Sequence, residues 1–359
     1  MPYLTRARAP LTHDIQAVNE FGELAAVSIP AERALTVYVD KRELVTLMTL
    51  GAQPELLVLG FLRNQRLLKS MAEVESITVD WDVNAAAVKT RHGIADVEAR
   101  TAKRVVTTGC GQGSVFGDMM AELDSLVLPQ ASLTQAQLYG IVNAVRLQES
   151  TYKSAGSVHG CALFRGEEML LFVEDVGRHN AIDTIAGWMW MQQDDAPTLA
   201  TSPESATADY ACAALPPEGV VSPWGGPAAK LAPTLATSPE SATADYACAA
   251  LPPEGAVHSR ESRSDGATRL GRPGAAAGIS GHDKVFYTTG RLTSEMVIKS
   301  AQMGVPILVS RSGITQMGHA LAQRLGLCTI GRAVNKRFLC YTGAARLRLQ
   351  PELNAARPL

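Results

Sequence analysis

The chain has 359 residues, of which 46% are hydrophobic and 19% are charged, and its formal net charge is -2. A chain of this length and composition can bury one large core or two smaller ones, which excludes disorder throughout and a small disulfide-stapled domain. The six cysteines form no CxxC pair, so we expect free thiols rather than a disulfide framework.

No segment has the pattern of a membrane span or a secretory signal. The longest uncharged stretch, Ser125 to Val145, contains Pro129 and several amide and hydroxyl side chains, which a bilayer core would not accept. The basic residues near the N-terminus are not followed by an apolar segment, as they would be in a signal peptide. We therefore expect a cytoplasmic protein.

The first half of the chain alternates between strand and helix patterns. Apolar periodicity predicts the following elements: a hairpin of Ala34–Val39 and Glu43–Thr49, a helix over Pro54–Leu68, strands at Ile77–Asp82 and Ala86–Thr90, a hairpin of Gly160–Phe164 and Met169–Val173, and a helix over Asn180–Met191. Thr134 and Gln137 have the spacing of a capping box, so a helix is predicted to begin there.

A perfect internal repeat interrupts this pattern. The 24-residue segment from Ala196 to Gly219 occurs again, unchanged, from Ala232 to Gly255. The surrounding residues 193–277 are rich in Ala, Pro, Ser, Thr and Gly and poor in large apolar residues, so their burial cannot offset the entropy of ordering them. We interpret residues 193–277 as a low-complexity insertion that is disordered.

After the insertion, strands alternate with helices. The predicted order is a strand at Lys284–Thr288, a helix at Leu292–Met303, a strand at Val305–Val309, a helix at Thr315–Leu325 and a strand at Cys328–Ile330. This order predicts an α/β fold with parallel crossovers. Ligands of such sheets bind beyond the carboxyl ends of the strands, which here are the turns Thr288–Arg291 and Ser310–Gly313.

The charge is unevenly distributed along the chain. Residues 283–359 carry eleven Lys or Arg against three Asp or Glu, a local charge of +8, so the remainder of the chain sums to -10. This segment is either a site for an anionic ligand or a solvated cationic surface. Its charges are spread singly, without basic blocks and interleaved aromatics, so we do not expect a nucleic-acid partner.

Cys110 is the strongest candidate nucleophile. It lies in the sequence TTGCGQGS, where glycines on both sides leave the thiol unshielded. The alternative is a turn that merely contains a cysteine. Cys161, Cys328 and Cys340 lie in apolar strand patterns and are predicted to be core thiols, whereas Cys212 and Cys248 belong to the repeat and receive no catalytic role.

Two polar segments flank the second predicted hairpin. His159 precedes it, and Asp175, Arg178 and His179 follow it at the start of a helix. Carboxylate, guanidinium and imidazole groups at this position are compatible with a site or with a helix cap and local salt bridge. A single histidine on a strand, such as His159, is more often structural than a catalytic base.

Several familiar chemistries lack their motifs. The chain has neither the HxE and PCxxC pair of zinc deaminases nor a GxxxxGK[ST] loop, and the glycines around Cys110 are not spaced as GxGxxG. We therefore expect no metal site. A cysteine hydrolase remains an alternative, with His159 or His179 as the base for Cys110.

Six motifs in order resemble those of one family. They are LVLGFL (Leu57–Leu62), TTGCG (Thr107–Gly111), AGSVHG (Ala155–Gly160), EDVGRHNAID (Glu174–Asp183), FYTTGRLTSEMV (Phe286–Val297) and GVPILVSRSGIT (Gly304–Thr315). Together they resemble the formate dehydrogenase accessory sulfurtransferases, the FdhD/NarQ family. The resemblance covers nearly the whole chain except the N-terminal tail and the insertion.

This resemblance implies a cytoplasmic sulfur carrier. Such a protein takes sulfur from a cysteine desulfurase as a cysteine persulfide and delivers it to the molybdenum or tungsten bis-guanine-dinucleotide cofactor of formate dehydrogenase. Cys110 matches the persulfide-bearing cysteine. The resemblance further implies a homodimer without a resident cofactor, which binds the dinucleotide transiently. The residues that match the family's cofactor-binding stretch are Phe286, Tyr287, Thr288, Thr289, Gly290 and Arg291.

The family resemblance also suggests a division of the chain. Its fold resembles a cytidine-deaminase-like α/β sandwich without the zinc site. We expect an N-terminal tail (1–20), a β-rich subdomain (21–105), and a sulfurtransferase core (106–192 and 278–350). His159, Asp175, Arg178, His179 and Arg311 are possible supporting residues. Many relatives have a second cysteine where this chain has Gly113, so a two-thiol relay in this loop is excluded. A non-covalent cofactor chaperone remains the main alternative function.

Overall fold

A computed structural model describes residues 1–94, 126–193 and 283–354, together with two short strands between the first two ranges. The described residues belong to one compact unit that spans Met1–Thr198 and Leu270–Leu359. Cys110 lies outside the described residues, as does the predicted insertion beyond its first residue.

The described part of the chain contains six α-helices. They are α1 (Pro54–Asn64), α2 (Gln135–Leu147), α3 (Thr151–Ala155), α4 (Arg178–Gln193), α5 (Ser294–Gln302) and α6 (Gln316–Arg324). Short 3₁₀ turns cover Met71–Glu73, Ala344–Arg346 and Pro351–Asn354. Among the described residues, no helix is both long and apolar enough to cross a membrane.

Seventeen strands accompany these helices. They are β1 (Tyr3–Leu4), β2 (Thr12–Val18), β3 (Leu24–Pro30), β4 (Arg33–Val39), β5 (Arg42–Thr49), β6 (Val74–Asp80), β7 (Ala85–Thr90), β8 (Val105–Val106), β9 (Gly113–Ser114), β10 (Leu133–Thr134), β11 (His159–Arg165), β12 (Glu168–Asp175), β13 (Lys284–Thr288), β14 (Ile307–Ser310), β15 (Cys328–Val334), β16 (Arg337–Thr342) and β17 (Leu347–Arg348).

The N-terminal half forms a five-stranded sheet in the order β1-β6-β7-β4-β5. The predicted hairpin of β4 and β5 is confirmed, and the predicted pair of β6 and β7 lies beside it. Leu35, Val37 and Val39 alternate along β4 and are all buried, because successive strand residues point to opposite faces. These side chains form a core with the apolar residues of α1.

Helix α1 ends four residues before its predicted end at Leu68. The backbone N–H of Gln65 still donates to the Phe61 carbonyl, but Arg66 has φ 59° and so leaves the helical conformation. Leu67 and Leu68 remain buried beyond this turn. The buried apolar residues therefore continue beyond the end of the helix. For this reason the spacing of apolar residues overestimated the length of α1.

The second sheet has six strands in the order β12-β11-β13-β14-β15-β16. Strands β13, β14 and β15 are mutually parallel. Strand β11 pairs antiparallel with β13, β12 pairs antiparallel with β11, and β16 pairs antiparallel with β15. The parallel strands are connected through α5 and α6, as the alternating pattern predicts. These connections place the carboxyl ends of β13 and β14 side by side.

Helices cover both faces of this sheet. One face packs against α4, α5 and α6 in a core that includes Leu163, Phe286 and Leu308. The other face packs against α2 through Phe164 and Tyr287. The capping box predicted for α2 is present. This layered arrangement confirms the α/β sandwich.

The sequence patterns did not predict the hairpin near the N-terminus. Strands β2 and β3 form an antiparallel hairpin, and β2 lies within the segment predicted as an N-terminal tail. Val18, Phe21 and Leu24 at its turn are exposed. The burial pattern has little alternation, so the periodicity that identifies a half-buried strand is absent.

Candidate functional site

The turn after β13 is fixed to β11 by paired hydrogen bonds. The backbone N–H of Thr289 donates to the Gly160 carbonyl (2.9 Å), and the Gly160 N–H donates to Thr289 Oγ1 (3.1 Å). Thr288 Oγ1 accepts from the Gly290 N–H (3.1 Å) and from the Cys161 thiol (3.3 Å). These contacts hold the segment predicted to bind a ligand in one conformation.

The turn after β14 lies directly beside it. The Ser310 hydroxyl donates to the Gly290 carbonyl (2.7 Å), and the Arg311 N–H donates to the Thr288 carbonyl (3.0 Å). Both predicted turns therefore form one surface at the carboxyl edge of the sheet, where α/β proteins bind ligands.

A cluster of basic side chains borders this surface. Gly290 allows Arg178 to approach, since a Cβ atom at position 290 would lie 2.8 Å from Arg178 Cδ. Burial lowers the pKa of His159, and the charges of Arg178, His179 and Arg291 lower it further. The structure thus brings four sequence-predicted site residues together, and His159 favours its neutral form there.

The Asp175 carboxylate next to this cluster accepts four hydrogen bonds. The carboxylate accepts them from the Thr49 hydroxyl (2.5 Å), the Leu50 N–H (3.2 Å), the Gly177 N–H (3.1 Å) and the Asn180 amide (2.9 Å). Burial raises its pKa, although these hydrogen bonds oppose the shift. The carboxylate joins the five-stranded sheet to the start of α4 and faces donors rather than open solvent.

His179 joins two helices under the site. Its Nε2 atom lies 3.1 Å from Glu295 Oε2, and both side chains are buried. Glu295 lies in the first turn of α5, where acidic residues are common because they interact favourably with the helix dipole. Sequence reasoning therefore missed this pairing, because nothing in its position distinguishes it from a helix-terminal acid.

A cleft of about 510 Å³ opens beside the β13 turn. Its polar lining residues include Arg146, Lys153, Glu174, Tyr287, Thr289 and Arg311. Three of these side chains are cationic. The single carboxylate, Glu174, accepts hydrogen bonds from the backbone N–H groups of Thr151 (2.6 Å) and Tyr152 (3.1 Å) at the start of α3. The cleft therefore carries net positive charge and suits an anion.

Tyr287 and Phe286 lie on opposite faces of β13. The Tyr287 side chain lines the cleft, and burial raises the pKa of its phenol to about 12 although Arg311 opposes this. The phenol therefore remains a hydrogen-bond donor at neutral pH. The Phe286 side chain is fully buried in the opposite core. Of these two predicted cofactor-binding residues, Tyr287 alone presents its side chain to the cleft.

The structure does not describe Cys110 itself. The strands on either side of it in sequence, β8 and β9, pair antiparallel, with Val105 opposite Ser114 and Val106 opposite Gly113. Arg146 and Lys153 were not predicted as site residues, because they lie outside the basic segment that begins at residue 283. Across the described ranges, no three His, Cys, Asp or Glu side chains converge as a metal site.

Comparisons with known proteins agree on one family. The sequence profile of the FdhD/NarQ family matches residues 30–202 and 273–348. The sulfur carrier protein FdhD of Bacillus subtilis (strain 168) is 22% identical over 332 residues, which cover 92% of this chain and 94% of the relative. The sulfur carrier protein FdhD of Listeria innocua is 21% identical over 323 residues, with 89% and 91% coverage.

A solved structure has the same fold. It is the crystal structure of a protein described as a formate dehydrogenase accessory protein, from Desulfotalea psychrophila. The TM-score is 0.57 at 19% sequence identity, and the match covers 94% of this chain and 100% of that one. Because the family profile matches well over half of the sequence, on both sides of the repeat, the chain belongs to the FdhD/NarQ family.

Proposed function

We propose that this protein is a sulfurtransferase that carries sulfur as a persulfide on Cys110. It receives the sulfur from a cysteine desulfurase and passes it to the molybdenum or tungsten bis-guanine-dinucleotide cofactor destined for formate dehydrogenase. The proposal includes a cytoplasmic homodimer. Family membership and the names of the curated relatives support the carrier role.

The first transfer needs no external oxidant or reductant. The Cys110 thiolate attacks the terminal sulfur of the desulfurase persulfide, a new S–S bond forms, and the desulfurase cysteine leaves as a thiolate. The transferred sulfur remains at the persulfide oxidation level throughout this exchange. One cysteine is sufficient for this step, so Gly113 at the position of a second cysteine is compatible with it.

The observation that carries the proposal is the cationic cleft beside the β13 turn. Its volume of about 510 Å³ is in the range of small-molecule sites and suits one nucleotide end of the substrate rather than the whole bis-dinucleotide. Arg311 and Lys153 provide charge for a phosphate. Tyr287 and Thr289 provide hydroxyl groups for orientation.

Mass spectrometry tests the carrier step. After incubation with a desulfurase and cysteine, we expect the peptide containing Cys110 to gain about 32 Da, the mass of one persulfide sulfur. The gain should be lost in Cys110→Ala and retained in Cys212→Ser, a matched change within the repeat. A Cys110→Ala protein that still matures formate dehydrogenase would instead support a chaperone without persulfide chemistry.

Calorimetric titration with guanosine diphosphate tests the cleft. Arg311→Ala should weaken binding by about 1.5–3 kcal/mol, the range for a charge-assisted hydrogen bond. Arg291→Ala tests the neighbouring turn in the same way, and Lys89→Ala on the five-stranded sheet is the control. Unchanged affinity in both arginine variants would place the nucleotide elsewhere. Acyl-enzyme trapping at Cys110, dependent on His159 or His179, would indicate a hydrolase instead.

A further inference from the structure

Two cysteines outside the candidate site lie together on neighbouring strands. Cys328 begins β15 and Cys340 lies in β16, where it pairs with Ile330. Thr329 pairs with Thr342, so β16 contains one extra residue between these two pairs, which makes a β-bulge. Both side chains lie in the core beneath α2, where the two thiols interact electrostatically, and the Cys340 thiol donates to the Thr342 carbonyl (3.3 Å).

The two thiols differ in accessibility. Cys328 is fully buried in the core beneath α2, whereas Cys340 is half-buried. Cys340 also lines a cavity of about 380 Å³ together with Leu327, Thr342 and Gly343. Cys340 is therefore the thiol of the pair that a small reagent reaches first.

The two thiols also differ in acidity. The interaction with Cys328 lowers the pKa of Cys340, although burial opposes this shift. The same interaction and burial raise the pKa of Cys328, and the charge of Arg346 opposes the rise only in part. Cys340 is thus both the more exposed and the more acidic thiol of the pair, and the thiolate is the form of a cysteine that reacts with oxidants.

We propose that Cys340 and Cys328 form a peroxide-reactive thiol pair, in which Cys340 is the attacking group and Cys328 the resolving group. The Cys340 thiolate attacks one oxygen of hydrogen peroxide, the O–O bond breaks, and hydroxide leaves and takes up the proton of the Cys328 thiol to become water. Cys340 is now a sulfenic acid. The Cys328 thiolate then attacks the Cys340 sulfur, and the S–O bond breaks. The released hydroxide takes up a proton from solvent and becomes water. This proton replaces the proton that Cys340 lost when it formed its thiolate. Two thiols are oxidised to one disulfide and one peroxide is reduced to two waters.

This pair is a modification site independent of the proposed carrier chemistry. It does not involve Cys110, and the sequence pattern alone identified both residues as core thiols. The difference arises because a strand pattern reports which residues are apolar, whereas the bulge decides which two side chains meet. Cys328 and Cys340 are twelve positions apart in the sequence, and this spacing does not predict their contact.

Peptide mapping of the full-length protein tests the proposal. Trypsin cleaves after Arg324 and Arg332 and after Arg337 and Arg346, so Cys328 and Cys340 fall in separate peptides, 325–332 and 338–346. After addition of stoichiometric hydrogen peroxide and alkylation of the remaining thiols, we expect these peptides to be linked by a disulfide. The link should disappear on reduction.

Cys161 is an internal control in the same digest. It is a buried thiol hydrogen-bonded to Thr288, and burial raises its pKa to about 12. Before oxidation, iodoacetamide at pH 7 should modify Cys340 at least about 100-fold faster than Cys161, since Cys340 is the more exposed thiol and has the larger thiolate fraction. Equal rates, or peroxide treatment that leaves peptides 325–332 and 338–346 unlinked, would overturn the proposal.

A variant separates the two roles within the pair. In Cys328→Ser, the sulfenic acid on Cys340 has no resolving thiol and should accumulate as an adduct with dimedone, a reagent for sulfenic acids. Failure to find this adduct in a folded Cys328→Ser protein would contradict the assigned order of attack. If this variant does not fold, the linked peptides of the unmodified protein decide the question alone.

Discussion

Asp183 illustrates how single residues connect the two halves of the molecule. It lies on α4 and is almost completely buried. Its carboxylate is 2.8 Å from Lys299 Nζ on α5 and accepts a hydrogen bond from the Asn64 amide (2.7 Å) at the end of α1. Three helices therefore meet at one carboxylate, and its loss would break a buried ion pair.

We expect Asp183→Asn to lower the free energy of unfolding by about 3–5 kcal/mol, the usual cost of breaking a buried ion pair. Urea denaturation followed by circular dichroism measures this loss. The exposed pair of Lys89 and Glu75 is the control, since Lys89→Ala should cost less than about 1 kcal/mol. Similar losses in both variants would show that the Asp183 contact contributes little.

His159 is expected to titrate below the ordinary histidine range. Burial and the nearby cations lower its pKa, so the unfolded chain takes up a proton as the pH falls below about 6.5 while the folded chain does not. His159 therefore lowers the free energy of unfolding as the pH falls below about 6.5. An NMR titration of the histidine imidazole signals should give a midpoint pH below the ordinary histidine range for His159. The Arg291→Gln substitution should raise this midpoint.

Lys89→Gln, a charge change on the other sheet, should leave the His159 midpoint unchanged. An Arg291→Gln protein with the same midpoint as the original chain would mean that Arg291 does not act on this imidazole. A midpoint at the ordinary value of about 6.5 in the unmodified protein would contradict the burial argument as well.

At the scale of elements, α1 and α4 approach so closely that glycine is required on both. A Cβ atom at Gly60 would lie 1.7 Å from the Asp183 carbonyl oxygen, and one at Gly187 would lie 2.1 Å from the Leu56 carbonyl oxygen. Both obstacles are backbone atoms, which cannot move aside as a flexible side chain can. The helices would have to separate to admit a methyl group.

Gly60→Ala should therefore destabilise the protein by about 3 kcal/mol, at the upper end of the usual range for overpacking. The measurement is the midpoint shift in thermal or urea unfolding. Gly140→Ala on α2 is the matched control, because the three atoms nearest to its Cβ would all belong to the exposed side chain of Glu167, and alanine favours a helix. A Gly60→Ala protein as stable as Gly140→Ala would contradict the close packing.

The elements predicted from sequence succeed where local chemistry determines them. The capping box of Thr134 and Gln137 fixed the start of α2, and alternation in β4 and β5 identified their hairpin. The end of α1 could not be read from apolar spacing, since Arg66 turns the chain while burial continues. The β2–β3 hairpin has exposed side chains on both faces, so no periodicity marks it.

The candidate site was predicted only in part for a similar reason. The turns after β13 and β14 follow from sheet topology, and the structure places them together. Arg146 and Lys153 reach the cleft from α2 and α3, and no sequence rule relates those helices to the sheet edge. These contacts depend on how the helices pack against the sheet, and patterns in a single sequence carry little information about such packing.

At the scale of the whole molecule, the family match skips residues 203–272. We expect a chain in which a short Gly/Ser bridge replaces them to fold and to accept sulfur on Cys110. Loop-closure entropy varies with the logarithm of length, so stability should change by about 1–2 kcal/mol and increase. A single cooperative thermal transition checks the folding. Loss of that transition would show that the segment packs on the rest of the protein.

The position of β11 between β12 and β13 has a consequence for synthesis. This strand pairs with β12, made before the insertion, and with β13, made after it, and about 90 residues separate α4 from β13. At the usual elongation rates a ribosome needs roughly 5–20 s to translate that interval. Throughout it, the nascent hairpin and α4 expose the apolar surface that α5 later covers. We therefore expect the β11–β12 hairpin and α4 to bind chaperones that protect unfinished chains.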